Sequence, residues 1–121
     1  MAAAGPHGLE LDTARRRLYC ACDAGALICL DADSGAVLAE RPLSGAPDVL
    51  FLDLEIRLLY VAIGDPGVID VFETASLERV DSVQTESGAH TLAFDPGSHK
   101  VYAFLPQTHR AAVFLPSGVP A

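Results

Sequence analysis

The chain has 121 residues, half of them apolar, a mean hydropathy of +0.31, and a formal net charge of −8 from sixteen acidic and eight basic side chains. Such apolar content argues against disorder, yet no apolar run approaches the roughly 18–20 residues of a membrane-spanning helix. A nucleic-acid surface needs clustered Lys and Arg; the one basic cluster, Arg15-Arg16-Arg17, falls in a predicted turn, so nucleic acid is not an expected partner.

In chain order, Gly5-Pro6-His7 leads into a first strand, Gly8–Asp12, that ends in the turn Asp12-Thr13-Ala14-Arg15. An aspartate opening a turn accepts backbone N–H groups further on and favours reversal. A tyrosine-centred apolar strand follows at Leu18-Tyr19-Cys20-Ala21-Cys22, then the turn Asp23-Ala24-Gly25 and a third strand, Ala26–Asp31. The polar turn Ala32-Asp33-Ser34-Gly35 leads to a fourth, Val37–Leu43, whose Glu40 and Arg41 suit a protected outer edge.

The same order then returns. Ala46-Pro47-Asp48 precedes Val49–Asp53, the turn Asp53-Leu54-Glu55-Ile56 and the strand Leu59–Ile63. Gly64-Asp65-Pro66-Gly67, Val68–Phe72, Glu73-Thr74-Ala75-Ser76 and Leu77–Val83 complete the second unit. Ala89-His90 opens a third with Thr91–Asp95, the turn Asp95-Pro96-Gly97-Ser98, the strand Val101–Leu105, the turn Pro106–His109 and Ala111–Leu115. No helix-period segment interrupts the series. In the second unit Leu59, Val61 and Ile63 point one way and Tyr60 and Ala62 the other, so that strand is apolar on both faces, as stacked sheets require.

Tyr19, Tyr60 and Tyr102 mark the period, 41 and then 42 residues. Four short strands per forty-odd residues is the mark of a β-propeller blade. The expected fold is all-β: blades of four antiparallel strands, about 2.75 of them, in an incomplete ring. The expected boundaries are 5–45 and 46–88 for two blades, 89–116 for a third lacking its outer strand, and 117–121 for a tail. A ring needs about 4–8 blades. The expected partners are therefore other blades, from a missing part of the polypeptide or from further copies of this chain. Met1–Ala4 is too short to supply the missing outer strand and lacks the regions of a secretory signal.

Pro6-His7-Gly8-Leu9-Glu10-Leu11-Asp12, Arg17-Leu18-Tyr19-Cys20-Ala21 and Ile28-Cys29-Leu30-Asp31-Ala32-Asp33-Ser34-Gly35 together resemble the YVTN-type β-propeller repeat. The second unit carries the tripeptide itself, Tyr60-Val61-Ala62, and the match runs in register from Gly5 to about Leu115. It departs at Cys20 and Ala103, where valine is usual, and at the third unit's opening, which lacks its proline. The resemblance implies a seven-bladed propeller, usually bacterial or archaeal and often exported, with no assigned catalysis in most members. Architecture follows from it; activity does not.

His7, Asp48 and His90 hold one position in successive units, at the start of the innermost strand, and are expected to ring one mouth of the central channel. Imidazole and carboxylate are metal-competent, so a divalent metal is the cofactor to consider, with His7 and His90 as ligands. A polar ligand is the other expectation, against the simpler account of solvated loop residues. Cys20, Cys22 and Cys29 would share one blade face if the hairpin turned at Ala24-Gly25, placing Cys20 opposite Cys29; small-residue packing is the plainer reading. Asp12, Asp53 and Asp95 are read as turn formers and the tyrosines as packing between blades. His99-Lys100 and His109-Arg110 are read as solvated surface.

No nucleophile–base motif, zinc-protease motif, P-loop or C-x-x-C pair is present in the sequence. A non-enzymatic binding or interaction scaffold is thus the leading expectation. The alternatives are a metal-dependent, lactonase-like propeller hydrolase and a fragment without an independent role.

Overall fold

The computed structural model describes residues 5–116 and contains eleven strands and, among those residues, no helix. The expected tail, 117–121, and residues 1–4 lie outside them. Blade 1 is the sheet β1 (Pro6–Asp12), β2 (Arg17–Cys22), β3 (Ala26–Asp31) and β4 (Val37–Pro42), in that spatial order. Blade 2 repeats it with β5 (Leu50–Asp53), β6 (Leu58–Ile63), β7 (Val68–Glu73) and β8 (Arg79–Gln84). Blade 3 has β9 (Leu92–Asp95), β10 (Lys100–Leu105) and β11 (Arg110–Phe114). All neighbours are antiparallel. No helix is long and apolar enough to cross a membrane among the described residues.

The innermost strands run side by side, β1 against β5 and β5 against β9, so the sheets fan about an axis instead of closing into a sandwich. That approach is close at Gly8, where a Cβ would overlap the Leu50 side chain. Each inner strand ends in the expected aspartate turn. Asp12 Oδ1 accepts Arg15 N–H at 3.0 Å, Asp53 Oδ1 accepts Glu55 and Ile56 N–H, and Asp95 accepts Gly97 N–H and the Ser98 hydroxyl. Those bonds, the Ser98 hydroxyl foremost, hold the Asp95 carboxyl below its ordinary range.

The core lies between blades. Tyr19, Ala21, Leu27 and Cys29 on one face of blade 1 meet Leu59, Val61, Ile63 and Phe72 of blade 2. The reverse face of blade 2, with Tyr60, Ile69 and Val71, meets Val101, Ala103, Phe94 and Phe114 of blade 3. Tyr60 lies 6.2 Å from the Phe94 ring and 6.3 Å, edge-on, from Phe114. Full burial of an aliphatic side chain of this size contributes about 1.5–3 kcal/mol, and β2 and β6 gain it on both faces. The outer strands β4 and β8 remain largely exposed, as their charge predicts.

Two expectations change. Cys20 pairs with Ile28 and Cys29 with Tyr19, because the hairpin turns through three residues, Asp23–Gly25, with Gly25 at φ +85°. One extra loop residue moves every partner by one and reverses the face. Cys29 therefore lies against blade 2, while Cys20 and Cys22 lie together on the other face, their sulfurs 4.0 Å apart. Leu77, expected to open a strand, instead turns at φ +56° and is buried in the blade 1–blade 2 core.

A polar clasp joins the first two blades. Asp70 on β7 is fully buried and accepts the Ser44 N–H at 2.8 Å, the Ser44 hydroxyl at 2.7 Å and the Ser82 hydroxyl at 3.0 Å. Arg79 Nη1 lies 3.7 Å from its second oxygen and donates to Ser44 Oγ. Because Ser44 lies in the connection from β4 to β5, the clasp ties the inter-blade crossing to the sheet it enters. Asp70→Ala strands three donors, each costing about 1–3 kcal/mol when buried without a partner. We expect a loss of about 3 kcal/mol or more for Asp70→Ala and a smaller one for Asp70→Asn, read from urea unfolding midpoints.

Candidate functional site

Asp48 and His90 come together. With Ala46, Gly64, Asp65, Ser87 and Gly88 they line an open depression of about 720 Å³ where the connections enter β5 and β9. Asp48 Oδ2 accepts the Gly64 N–H at 2.9 Å, leaving its other oxygen free. His90 Nδ1 is 2.7 Å from the Gly88 carbonyl oxygen, which can only accept, so Nδ1 carries the proton. In the neutral ring Nε2 is then an acceptor directed elsewhere.

His7 does not line that depression. It turns to Asp23 in its own blade, Nδ1 to Oδ1 3.3 Å, with both side chains about half exposed. Among the described residues no three His, Cys, Asp or Glu side chains converge as a metal site would need. Burial, then the neighbouring Cys20 thiol, pushes the Cys22 thiol up to about 11, and burial raises that of Cys29. Both stay protonated at neutral pH, a state suited to packing and not to nucleophilic attack.

Sequence reasoning missed His99. Read as solvated surface, it is instead an inter-blade contact: its side chain is 12% exposed, and Nδ1 lies 2.7 Å from Oδ2 of the buried Asp53 in blade 2. Glu55 lies 3.7 Å from Nε2. The turn before β10 puts His99 at φ +63°, just as Arg16 and Arg57 stand at +55° and +59° before β2 and β6. This left-handed backbone swings the ring across to blade 2. The repeating aspartates were the available signal, since Asp53 needed only two of its lone pairs for its own turn. The hydrogen bond to Asp53, followed by the charges of Asp53, Glu55 and Asp95, raises the His99 pKa above its ordinary value despite partial desolvation. Tyr60, close enough to Asp53 to feel its charge, has its hydroxyl raised by burial first and by Asp53 second.

Solved structures share this arrangement. The chain superposes on the WD40 repeats of RRP9 with a TM-score of 0.75 and 14% identity, over 96% of this chain and 40% of that one. It superposes on the Cps50 (Swd1) β-propeller domain of Myceliophteria thermophila with a TM-score of 0.76 and 14% identity, over 99% and 41%. Against dihydro-heme d1 dehydrogenase NirN in complex with DHE the TM-score is 0.80 at 18% identity, over 95% and 26%. No family model matches the chain. No curated protein sequence matches it. The chain spans 26–41% of the length of these three structures, and at such identities the likeness establishes the fold alone: these are blades of a β-propeller.

The His99–Asp53 pair makes stability depend on pH. His99 titrates above 6.5 when folded, so its contribution is complete below that value and disappears as pH rises through the raised folded value. Asparagine tolerates the left-handed backbone, which makes His99→Asn the suitable comparison. The gap in melting temperature between wild type and His99→Asn should narrow as pH is raised from 6.5; a constant gap would mean that the pair does not titrate with folding.

Proposed function

We propose that this chain is part of a YVTN-type β-propeller that acts as a non-enzymatic binding scaffold, its outer flanks seating further blades and its channel mouth taking a small polar ligand. One observation carries the first half. Tyr19 and Tyr60, each facing a following blade, are 0% exposed, whereas Tyr102, at the same position in blade 3, is partly exposed with no blade beyond it. Around it Phe104 and Val113 are 49% and 57% exposed on the same face. On the opposite flank Leu9 and Leu11 of β1 are 61% and 43% exposed. Contiguous apolar surface of this kind marks an interaction face.

The two flanks are unlike, one presenting Tyr102, Phe104 and Val113 and the other Leu9 and Leu11, so the contact they make is head-to-tail. The blade seated there belongs to another stretch of polypeptide or to another copy. At the mouth, the free oxygen of Asp48 and Nε2 of His90 offer two acceptors for a ligand rich in donors, and His7 occupies the corresponding position in blade 1. The YVTN-type assignment rests on the repeated residues from Gly5 to Leu115.

Light scattering on the purified 121-residue chain tests the flanks. We expect association beyond the monomer, abolished by the double variant Tyr102→Lys, Phe104→Lys. A wild-type chain that stays folded and monomeric at its highest soluble concentration would refute the need for a neighbour.

A further inference from the structure

Blades 1 and 2 enclose a second cavity, of about 430 Å³, on the side away from the channel mouth residues. Arg15 and Arg17 supply two guanidinium groups to its wall, with Thr74 and Ser76 opposite them and Cys29 beside them. Thr74 is 7% exposed, and its hydroxyl lies near that of the buried Tyr19, outside ordinary hydrogen-bond geometry. Neither hydroxyl has another partner among the described residues, and Arg15 is near enough to act on the Tyr19 titration. Ser76 Oγ accepts the Glu78 N–H at 3.2 Å and keeps its own proton to donate. Arg15 has no carboxylate within ion-pair distance among the described residues, and Arg17 has only Asp31, at 3.8 Å.

The next gap in the ring is an internal control. Between blades 2 and 3 the equivalent cavity, about 260 Å³, is lined by Leu58, Val71, Glu73, Val80, Asp81 and Phe114, with Pro116. Strand register identifies the exchanges. Arg17 opposite Asp12 becomes Leu58 opposite Asp53, and Cys29 opposite Tyr19 becomes Val71 opposite Tyr60. Ala39 opposite Cys29 becomes Asp81 opposite Val71. The same architectural gap is thus cationic with hydroxyls once and acidic and apolar once. Arg17 Nη1 donates to the carbonyl oxygens of Arg15 and Arg16 in its own turn, and the second gap packs without a guanidinium at either position. In a chain of net charge −8, two arginines and the Ser76 hydroxyl in the wall of one cavity offer charge-assisted donors to an anion.

We propose that the blade 1–blade 2 cavity binds a small phosphate monoester, with Arg15 and Arg17 on the phosphoryl oxygens and Thr74 and Ser76 donating from the facing turn. The volume exceeds that of a bare phosphate and falls within the range of small-molecule sites, about 300–1,000 Å³. Leu38 and Leu77, also in the wall, would meet the organic part.

Calorimetric titration with glycerol 3-phosphate and with inorganic phosphate, against chloride at matched ionic strength, tests the site. One equivalent should bind per chain, the ester more tightly than the inorganic ion. The variant Arg15→Ile, Arg17→Leu, which copies Ile56 and Leu58 of the next blade, should keep the fold and bind at least about tenfold more weakly, as losing a charge-assisted hydrogen bond implies. The ester should also raise the melting temperature of the wild-type chain, which chloride at the same ionic strength should not. This last measurement needs no variant. No heat above the chloride control, undiminished binding by the double variant, or binding without a rise in melting temperature would each overturn the assignment.

Discussion

Stability in this chain comes from the contact between neighbouring sheets, not from any sheet alone. β2 and β6 are apolar on both faces, and a neighbouring sheet covers Tyr19 of the one and Tyr60 of the other. Burial is most extensive in blade 2, which has a described neighbour on each side. Its Leu59, Val61 and Ile63 face one neighbour and its Tyr60 the other, all of them at 0% exposure. Blade 3 leaves Phe104 and Val113 exposed on its far face, and blade 1 leaves Leu9 and Leu11 exposed on its own, although Cys20, Cys22 and Ile28 on that face are buried. The open flanks are a consequence of the same arithmetic that builds the core.

Polar contacts fix the angle at which the apolar faces meet. The apolar contact is broad and tolerant of sliding; the Asp70 clasp and the His99–Asp53 pair are directional. They act on different gaps, the first between blades 1 and 2 and the second between blades 2 and 3. Each uses a buried carboxylate that accepts from both sides of its gap, and so holds two sheets in register at a distance from the hydrophobic contact. Neither recurs in the other gap. The repeats agree in their strands and differ in what fastens them.

The same divergence accounts for where chemistry could reside. The structural similarities reach from WD40 repeat proteins to a dehydrogenase, so the propeller is compatible with many roles and selects none. What distinguishes one face or gap from the next is which residue fills a position that packing leaves free. Asp48 and His90 at the entries to β5 and β9, and Arg15 and Arg17 between blades 1 and 2, are such positions. Both clusters lie at the ends of strands, where a side chain can change without disturbing the sheet.

Strand order, the two-faced strands and the aspartate turns were legible in the linear sequence because each depends on residues within a dozen positions of one another, and the tyrosine period because that local pattern recurs at 41 and 42 residues. The placement of Asp48 and His90 at corresponding points of successive units was legible for the same reason. The face taken by Cys29 was not: a three-residue loop in place of two reverses it, and Asp23-Ala24-Gly25 is compatible with either. Nor was the role of His99, which depends on a left-handed backbone at a residue other than glycine and on a carboxylate 46 positions away. His7 differs from His90 only in what lies beside it, Asp23 in one case and the depression shared with Asp48 in the other. Local pattern determined the blades. Contacts between blades, set by backbone twist and loop length, decided which side chains meet.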